Sequence, residues 1–293
     1  MEQLFNSISS YLKTQFGEKT IKLSIDGGFT CPNRDGSKGT GGCIFCSADG
    51  SGDFASNIES QIQLLSDKWP NAKYIAYFQN HTNTYAPADE LAKKFYAALD
   101  NPNISGIAIA TRPDCLNEEV LDLLGEINKN HFMWIELGLQ TIHKKTADII
   151  NRCYDLDVYD TAMKELTNRN IKVVTHLILG LPEESQIDMV ESVKYVCNAK
   201  TWGIKLHLLN VVKGSQMETL YPNYQSFNSI EEYVNLVVDL LEIIPPNITI
   251  HRLTADAPRK ILISPEWSYK KRTILNSINA ELVRRNSYQG CKL

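Results

Sequence analysis

Short apolar runs alternate with longer amphipathic stretches over most of the chain, and this alternation limits the folds that the chain can adopt. The runs occupy residues 21–25, 74–78, 106–111, 133–139, 172–179 and 204–210. Each run is typical of a buried β-strand, and the stretches between them have helical spacing, with Asn117 and Ser185 as predicted N-caps. Strands joined by such long crossovers pair in parallel and are covered by helices. The pattern predicts an α/β fold, either a doubly wound sheet or a barrel.

Polar residues gather in the loops that follow these runs. The loops include residues 79–83, 111–114, 140–141, 180–184 and 211–214. In both parallel folds the ligand site lies at the carboxyl ends of the strands, so we predict the functional site at that edge. Because Pro245 and Pro246 end the repeating pattern, we also predict a helical segment over 1–20, a core over 21–245 and a basic extension over 246–293.

The loop after the first run contains three cysteines. It reads DGGFTCPNRDGSKGTGGCIFC, which places Cys31, Cys43 and Cys46 in a C-x11-C-x2-C spacing. The x2 spacing lets two sulfurs bind one metal centre across a tight turn, and the glycines let backbone amides approach it. Three thiolates fit an iron–sulfur cluster with one iron left open, or a zinc site that His81 or Cys115 would complete. The cysteines alone leave both kinds of metal site open.

Three further segments carry a family resemblance. Residues 136–152 read ELGLQTIHKKTADIINR, 176–184 read HLILGLPEE and 111–114 read TRPD. Together with the cysteine loop, they resemble the Elp3-like branch of the radical S-adenosylmethionine (SAM) superfamily and, within it, the YtqA/YhcC-type family. The resemblance covers nearly the whole chain. It implies an α/β fold with a partial (β/α)6 TIM-like radical SAM barrel, a short N-terminal helix and a C-terminal extension.

The resemblance also implies two cofactors and the residues that bind them. Cys31, Cys43 and Cys46 would hold a 4Fe-4S cluster whose open iron takes SAM. The other predicted cofactor-binding residues are Gln79, Glu136, Gln140, Arg152 and His176.

Each of these five residues has its own predicted role. Glu136 and Gln140 would bind the ribose hydroxyls of SAM, and Arg152 would pair with its carboxylate. Gln79 stands in the turn YFQNHTN, where many family members carry a Gly-Gly-Glu-like turn for the SAM amino group. His176 stands where Elp3 has a histidine. Each role has an alternative. Glu136 and Gln140 could be a hydrogen-bonded pair inside the barrel, Arg152 a surface arginine and His176 a core histidine.

Four basic residues are predicted substrate contacts. Lys205 and His207 share one face of the sixth run by the period of two, Lys213 follows that run, and Arg112 belongs to TRPD. Lys205, His207 and Lys213 would meet an anionic substrate, and they equally suit a barrel lining without chemistry. No catalytic residue is predicted.

The resemblance further implies a reaction and its partners. Reductive cleavage of SAM would generate a 5'-deoxyadenosyl radical, with an electron donor such as flavodoxin or ferredoxin. The implied substrate is tRNA, with MnmL-like conversion of a carboxymethylaminomethyl group on the wobble uridine to aminomethyl. The alternatives are a radical SAM enzyme acting on a small metabolite, and a non-catalytic metal-binding or RNA-binding protein.

Composition limits the binding partners and the cellular compartment that we expect for this protein. The net charge of −4 excludes a simple polycation, yet residues 257–293 contain eight basic residues against two acidic ones, which suits contact with phosphates as well as a solvated helix face. The first residues lack the pattern of a secretory signal, and no apolar run approaches the length of a membrane span. We therefore expect a cytoplasmic protein without a membrane partner, in which the seven cysteines are thiols or metal ligands.

Overall fold

The structure, a computed structural model, describes residues 3–47, 50, 52, 54–70 and 72–293. Residues 1, 2, 48, 49, 51, 53 and 71 lie outside the described residues. The first two residues of the predicted segment 1–20 and part of the stretch after Cys46 therefore lie outside the described residues.

The described strands follow the predicted order and add three more. They are β1 (Thr20–Ile25), β2 (Lys73–Phe78), β3 (Ile104–Thr111), β4 (Met133–Gln140), β5 (Lys172–Leu179), β6 (Gly203–Leu208), β7 (Val211–Val212), β8 (Thr249–Arg252) and β9 (Leu262–Ser264). Each of the first six overlaps its predicted run.

Helices occupy the intervals between the strands. The described α-helices are α1 (Ile8–Phe16), α2 (Ile58–Ser66), α3 (Ala88–Leu99), α4 (Glu118–Asn130), α5 (Lys144–Ile149), α6 (Leu156–Asn168), α7 (Gln186–Asn198), α8 (Gln216–Leu220), α9 (Ile230–Ile243) and α10 (Lys271–Arg284). The two predicted N-caps are observed. Asn117 accepts a hydrogen bond from the backbone of Val120 at 2.9 Å, and Ser185 forms a reciprocal capping box with Asp188.

The main sheet of the described residues contains seven parallel strands in the order β1-β2-β3-β4-β5-β6-β8. It curls into an open half-barrel, so the predicted α/β partial barrel is confirmed. The seventh strand, β8, is four residues long, reads TIHR and contains no apolar run that would reveal it. The proposed division at residue 245 stays a prediction, and β8 beyond it pairs with β6.

The inner and outer faces of the strands pack against different partners. Alternate side chains on the outer face pack against the helices and form the main core. Inside the half-barrel, Ile75, Ala108, Trp134 and Val174 pack with Leu12 of α1, which covers the amino-terminal ends of the strands. The interior is therefore closed at one end, and the space that remains lies at the carboxyl ends.

Candidate functional site

The carboxyl ends of the parallel strands surround a cavity of about 230 Å³. All the predicted site residues except Arg152 and Lys213 line it. They come together because parallel strands end at the same edge of the sheet, although the residues lie far apart in the sequence.

The cysteine loop is shaped by its own backbone hydrogen bonds. The amide of Arg34 donates to the carbonyl of Cys31 at 2.8 Å, and the amide of Cys46 donates to that of Cys43 at 3.0 Å, so both ends of the motif form tight turns. Gly42 has a φ of +79°, and a Cβ atom there would lie 3.0 Å from Nε of Arg34. The turn that presents Cys43 therefore requires glycine at position 42.

The sulfurs of this loop suit a bound metal centre. Contact with the Cys46 thiol and burial raise the pKa of the Cys43 thiol well above its usual value, so a thiolate there needs a bound cation. Among the described residues, the Sγ atoms of the three cysteines do not all lie within 4.8 Å of one another. A zinc ion bound at about 2.3 Å needs sulfurs about 4 Å apart. The arrangement therefore fits a larger iron–sulfur cluster better than a single zinc ion.

Arg112 places a fixed cation beside the cysteines. Its guanidinium donates to both carboxylate oxygens of Asp114 at 2.9 Å and lies 5.1 Å from the ring centre of Tyr154. Burial alone would lower the pKa of Arg112, but the Asp114 carboxylate raises it above its usual value, and the cation acts on Cys43 and Cys31. Arg112 is thus held next to the predicted metal ligands.

A buried ion-pair network occupies the interior wall of the cavity. The Glu136 carboxylate is fully buried and accepts hydrogen bonds from Nε1 of Trp134 at 3.0 Å and Nε2 of His176 at 2.8 Å. Nζ of Lys205 donates to the same carboxylate, and Nζ of Lys22 lies 3.5 Å from it. Glu136 is therefore saturated with donors from four strands.

Burial and mutual repulsion shift the titration of this network. Burial would raise the pKa of Glu136, but Lys205 and Lys22 hold it well below its usual value, so the carboxylate is ionised. Burial lowers the pKa of Lys205, and it lowers the pKa of His176 to about 4. The pKa of His207 is also lowered well below its usual value by burial and a nearby arginine. The histidines are neutral at pH 7.

The two predicted glutamines reach the cavity, and each already has partners within the chain. Gln79 accepts a hydrogen bond from Oγ of Ser24 at 3.0 Å. Gln140 has a φ of +68°, and with its side-chain amide turned so that both ends find partners, its nitrogen donates to the carbonyl of Gly138 at 2.9 Å and to that of Leu139 at 2.8 Å. Their contacts with a cofactor stay predictions.

The structure does not bring Arg152 to the cavity. Its side chain is 1% exposed, and its guanidinium donates to the carbonyls of Leu139 at 3.0 Å, Thr141 at 2.6 Å and Tyr154 at 2.9 Å. These bonds join the end of β4 to the segment after α5. Arg152 is buried and holds these carbonyls in the structure, and its pairing with a SAM carboxylate stays a prediction.

Lys213 also lies outside the cavity wall. It is exposed and directly follows Val212, which lines the cavity, and its backbone amide donates to the carbonyl of Ile261 at 2.8 Å. Lys213 is therefore a residue of the cavity rim, next to the chain that enters β9.

Lys22, Tyr77 and Arg252 are among the site residues that the sequence reasoning missed. Lys22 and Tyr77 face the interior, and Nζ of Lys205 donates to Oη of Tyr77 at 2.9 Å. Both had a signal, since a lysine or a tyrosine inside a short apolar run points to the barrel interior by the period of two. Arg252 lines the cavity from β8 and had none, because that strand was not predicted.

The fold and the three-cysteine cavity are those of a radical SAM protein, and the comparison with known families agrees. Residues 34–196 match the Radical SAM superfamily and residues 201–284 match the Radical_SAM C-terminal domain. The chain belongs to the radical SAM superfamily. Its cofactors are therefore a 4Fe-4S cluster and SAM, and its chemistry requires an external reductant.

Two relatives match along almost the whole chain. YtqA of Bacillus subtilis (strain 168) is 45% identical over 298 residues, which cover 99% of this chain and 92% of YtqA. YhcC of Escherichia coli (strain K12) is 38% identical over 300 residues, which cover 100% of this chain and 96% of YhcC. The predicted YtqA/YhcC-type membership is confirmed.

A solved structure shares the fold. The archaeal Elp3 of Methanocaldococcus infernus superposes with a TM-score of 0.69 at 14% identity, covering 92% of this chain and 64% of that chain. This chain thus spans less than two thirds of that structure, and the likeness is one of fold. Within the described residues, no helix has the length and apolar content that a membrane crossing needs.

Proposed function

We propose that this radical SAM protein modifies tRNA, converting the carboxymethylaminomethyl group of the wobble uridine to aminomethyl. The observation that carries the proposal is a cavity with the cysteine loop in one part of its wall, a cationic group in another, and unpaired basic side chains at its rim. A cavity of this kind suits an anionic group on an extended, negatively charged substrate.

Cys31, Cys43 and Cys46 would hold the cluster in this proposal, and Arg112 would offset part of its negative charge. Gln79 and Gln140 would contact SAM from the ends of β2 and β4. When bound, the reduced cluster supplies the electron that cleaves SAM to methionine and a 5'-deoxyadenosyl radical. The chain's own contribution is to orient the reacting groups and to exclude water from a largely buried cavity.

Glu136 and its partners would position groups rather than react. The carboxylate is fully engaged by Lys205, Lys22, His176 and Trp134, so it holds these side chains in place along the wall. Lys205 and His176 thereby present fixed polar atoms to the cavity. Glu136 is a positioning residue in this proposal, and the predicted contact with ribose hydroxyls would compete with its four present donors.

The rim supports a nucleic-acid substrate. Of the eight basic residues in 257–293, four are paired with carboxylates in the described structure: Lys271, Arg284, Arg285 and Lys292. The other four, Arg259, Lys260, Lys270 and Arg272, are exposed and form no ion pair among the described residues.

Two of these four rim residues lie beside an aromatic side chain. The guanidinium of Arg259 lies 4.6 Å from the ring centre of Tyr269, and Nζ of Lys270 lies 5.9 Å from it. Tyr269 is 45% exposed. Exposed cations beside an exposed aromatic ring suit phosphate contact and base stacking. The preceding Asp256 and Ala257 line the cavity, so this surface adjoins its mouth.

A distant relative also supports an RNA substrate. The tRNA uridine(34) acetyltransferase of Methanocaldococcus jannaschii is 22% identical over 162 residues, which cover 54% of this chain and 29% of that protein. The name of that protein states that it acts on uridine 34 of tRNA. The electron donor that we propose for this chain is a small redox protein such as flavodoxin or ferredoxin, in the cytoplasm.

The test is nucleoside mass spectrometry of tRNA from a strain that lacks the gene. We expect the carboxymethylaminomethyl uridine to accumulate and the aminomethyl form to disappear, and a plasmid copy to restore both levels. Reconstituted, dithionite-reduced protein should produce 5'-deoxyadenosine with this tRNA. Unchanged nucleosides together with SAM cleavage would favour a small-metabolite substrate, and zinc in place of iron would favour a non-catalytic protein.

A further inference from the structure

At the cavity wall, Arg252 is a cation that has no hydrogen-bond partner among the described residues. It ends β8, its side chain is 25% exposed, and it lines the cavity. In the described structure its guanidinium makes no hydrogen bond, and its one ion-pair contact is with Asp256 at 4.0 Å. The Asp256 carboxylate is itself held by Nζ of Lys271 at 2.5 Å. An arginine offers five donors in a planar fork, and here that fork is unused.

The immediate neighbours of Arg252 are also cations. In the parallel pairing of β6 with β8, Lys205 is the register partner of Arg252. Like charges placed opposite each other on neighbouring strands are destabilising. Arg252 lowers the pKa of Lys205, of His207 and of Lys22, so the repulsion reaches across the interior.

The charges of this part of the wall do not balance. Four basic side chains, Lys22, Lys205, Arg252 and Lys271, face two carboxylates, Glu136 and Asp256, so the basic groups outnumber the acidic ones by two. A partly buried excess of this kind costs stability unless an anion joins it. The cavity therefore retains an arrangement that a bound anion would stabilise.

We propose that Arg252, with Lys205 and His207 beside it, binds the carboxylate of the substrate. This inference rests on the proposed function and deepens it, since it assigns the carboxymethylaminomethyl carboxylate to a residue outside the predicted site. The planar guanidinium fork matches a carboxylate in two parallel hydrogen bonds, which an ammonium group cannot do.

The position of Arg252 favours the substrate over SAM as the source of the carboxylate. The cation that acts on Cys43 and Cys31 is Arg112, whereas Arg252 acts on the Lys205 and His207 part of the wall. A ligand of the open iron would lie by the cysteines. The part of the cavity beside Arg252 is therefore available to the substrate group that approaches SAM.

The experiment measures binding without turnover. Holoprotein with an oxidised cluster and SAM is titrated with two anticodon stem-loop RNAs, one carrying 5-carboxymethylaminomethyluridine and the other 5-aminomethyluridine at the wobble position. We expect wild type to bind the carboxylated RNA roughly tenfold more tightly, the scale of one charge-assisted hydrogen-bond pair. Arg252→Gln should reduce this ratio to about one and Arg252→Lys to an intermediate value. Arg284→Gln, on the outer helix α10, should keep the wild-type ratio.

Two controls separate binding from folding and from SAM. Thermal unfolding of Arg252→Gln should begin no lower than that of wild type, because the change removes repulsion, whereas a purely structural arginine would lower the midpoint. The Kd for SAM should stay within about twofold of wild type. A tenfold loss of SAM affinity with the RNA ratio intact would overturn the inference and assign Arg252 to SAM.

The remaining outcomes distinguish this inference from the proposed function. If wild type and Arg252→Gln prefer the carboxylated RNA equally, the role of Arg252 is wrong and the tRNA proposal stands. If wild type shows no preference, the tRNA proposal fails, and ¹³C-acetate becomes the probe. Line broadening of acetate by wild type and Arg284→Gln but not by Arg252→Gln would uphold a carboxylate site for another substrate. Equal broadening by all three would overturn it.

Discussion

Among the three cysteines of the loop after β1, Cys43 depends on a bound metal for its charge. Cys43 is the most constrained of them, because it follows the left-handed Gly42 and because burial and the neighbouring thiol disfavour its thiolate. Because its pKa is raised, the Cys43 thiol becomes a thiolate only when it binds iron.

Replacing Cys43 with serine should therefore abolish cluster binding. We expect Cys43→Ser to retain little iron after anaerobic reconstitution, against about four per chain in wild type. Cys291→Ser is the matched control, since Cys291 lies near the C-terminus beside Ser287 and away from the cavity. Iron and sulfide analysis makes the measurement, and equal iron in both variants would contradict the assignment.

Arg152 is a predicted SAM contact whose guanidinium donates to backbone carbonyls in the structure. Lysine cannot reproduce its hydrogen bonds to three backbone carbonyls, so Arg152→Lys should lower the free energy of unfolding by about 2–4 kcal/mol. Urea unfolding of the cluster-free protein measures this. Arg169→Lys, at an ion-pair network of exposed carboxylates, should cost less than about 1 kcal/mol. Wild-type stability of Arg152→Lys together with weakened SAM binding would restore the predicted SAM contact.

His176 predicts a pH dependence of stability. Burial and Lys205 lower its pKa to about 4, below the unfolded value of about 6.5. As pH falls from about 6.5 to 4 the unfolded chain takes up a proton that the folded chain refuses, so the free energy of unfolding decreases by up to about 1.4 kcal/mol per pH unit. His176→Gln should reduce that slope in urea unfolding between pH 7 and 4. An unaltered slope would show that His176 does not titrate this way.

At the scale of elements, the short strand β8 is held by the two ends of the chain. Gln289 is buried and links them: Oε1 accepts from the amide of Asn6 at 2.8 Å, and Nε2 donates to the carbonyls of Pro245 at 2.7 Å and Ile248 at 2.9 Å. The amide of Ile250 in β8 also donates to the carbonyl of Asn6 at 2.7 Å. The last strand of the half-barrel therefore depends on residues outside the repeating pattern.

Removing the Gln289 side chain should loosen this end of the sheet. Gln289→Ala leaves buried backbone groups without partners, so we expect a loss of about 2–3 kcal/mol in the free energy of unfolding. Hydrogen exchange should become faster in β8 than in β4. Gln3→Ala, at an exposed position near the amino-terminal segment that Gln289 contacts, is the control and should behave as wild type.

At the scale of the whole molecule, the distribution of charge over the surface matters more than the net charge. The net charge of −4 coexists with the unpaired rim residues Arg259, Lys260, Lys270 and Arg272. Local rather than net charge determines contact with phosphates, and such contact is reduced by salt.

Replacing these four rim residues with glutamine should weaken tRNA binding and reduce the slope of log affinity against log salt by about three. The matched control changes Lys129, Lys144, Lys145 and Arg284, each paired with a carboxylate, and should leave the slope near wild type. Filter binding at several salt concentrations makes the comparison. Equal slopes would place the RNA contact elsewhere.

The sequence by itself determined the features that repeat locally or form short motifs. Period and length revealed the first six strands, the caps Asn117 and Ser185 follow from side-chain chemistry next to their helices, and the three cysteines form one spaced motif. Tertiary structure alone decided which distant polar groups meet. It engaged Arg152 with backbone carbonyls, and it placed Arg252 beside Lys205 through a strand with no apolar pattern. Pairings between distant strands depend on register and curvature, which no local spacing encodes.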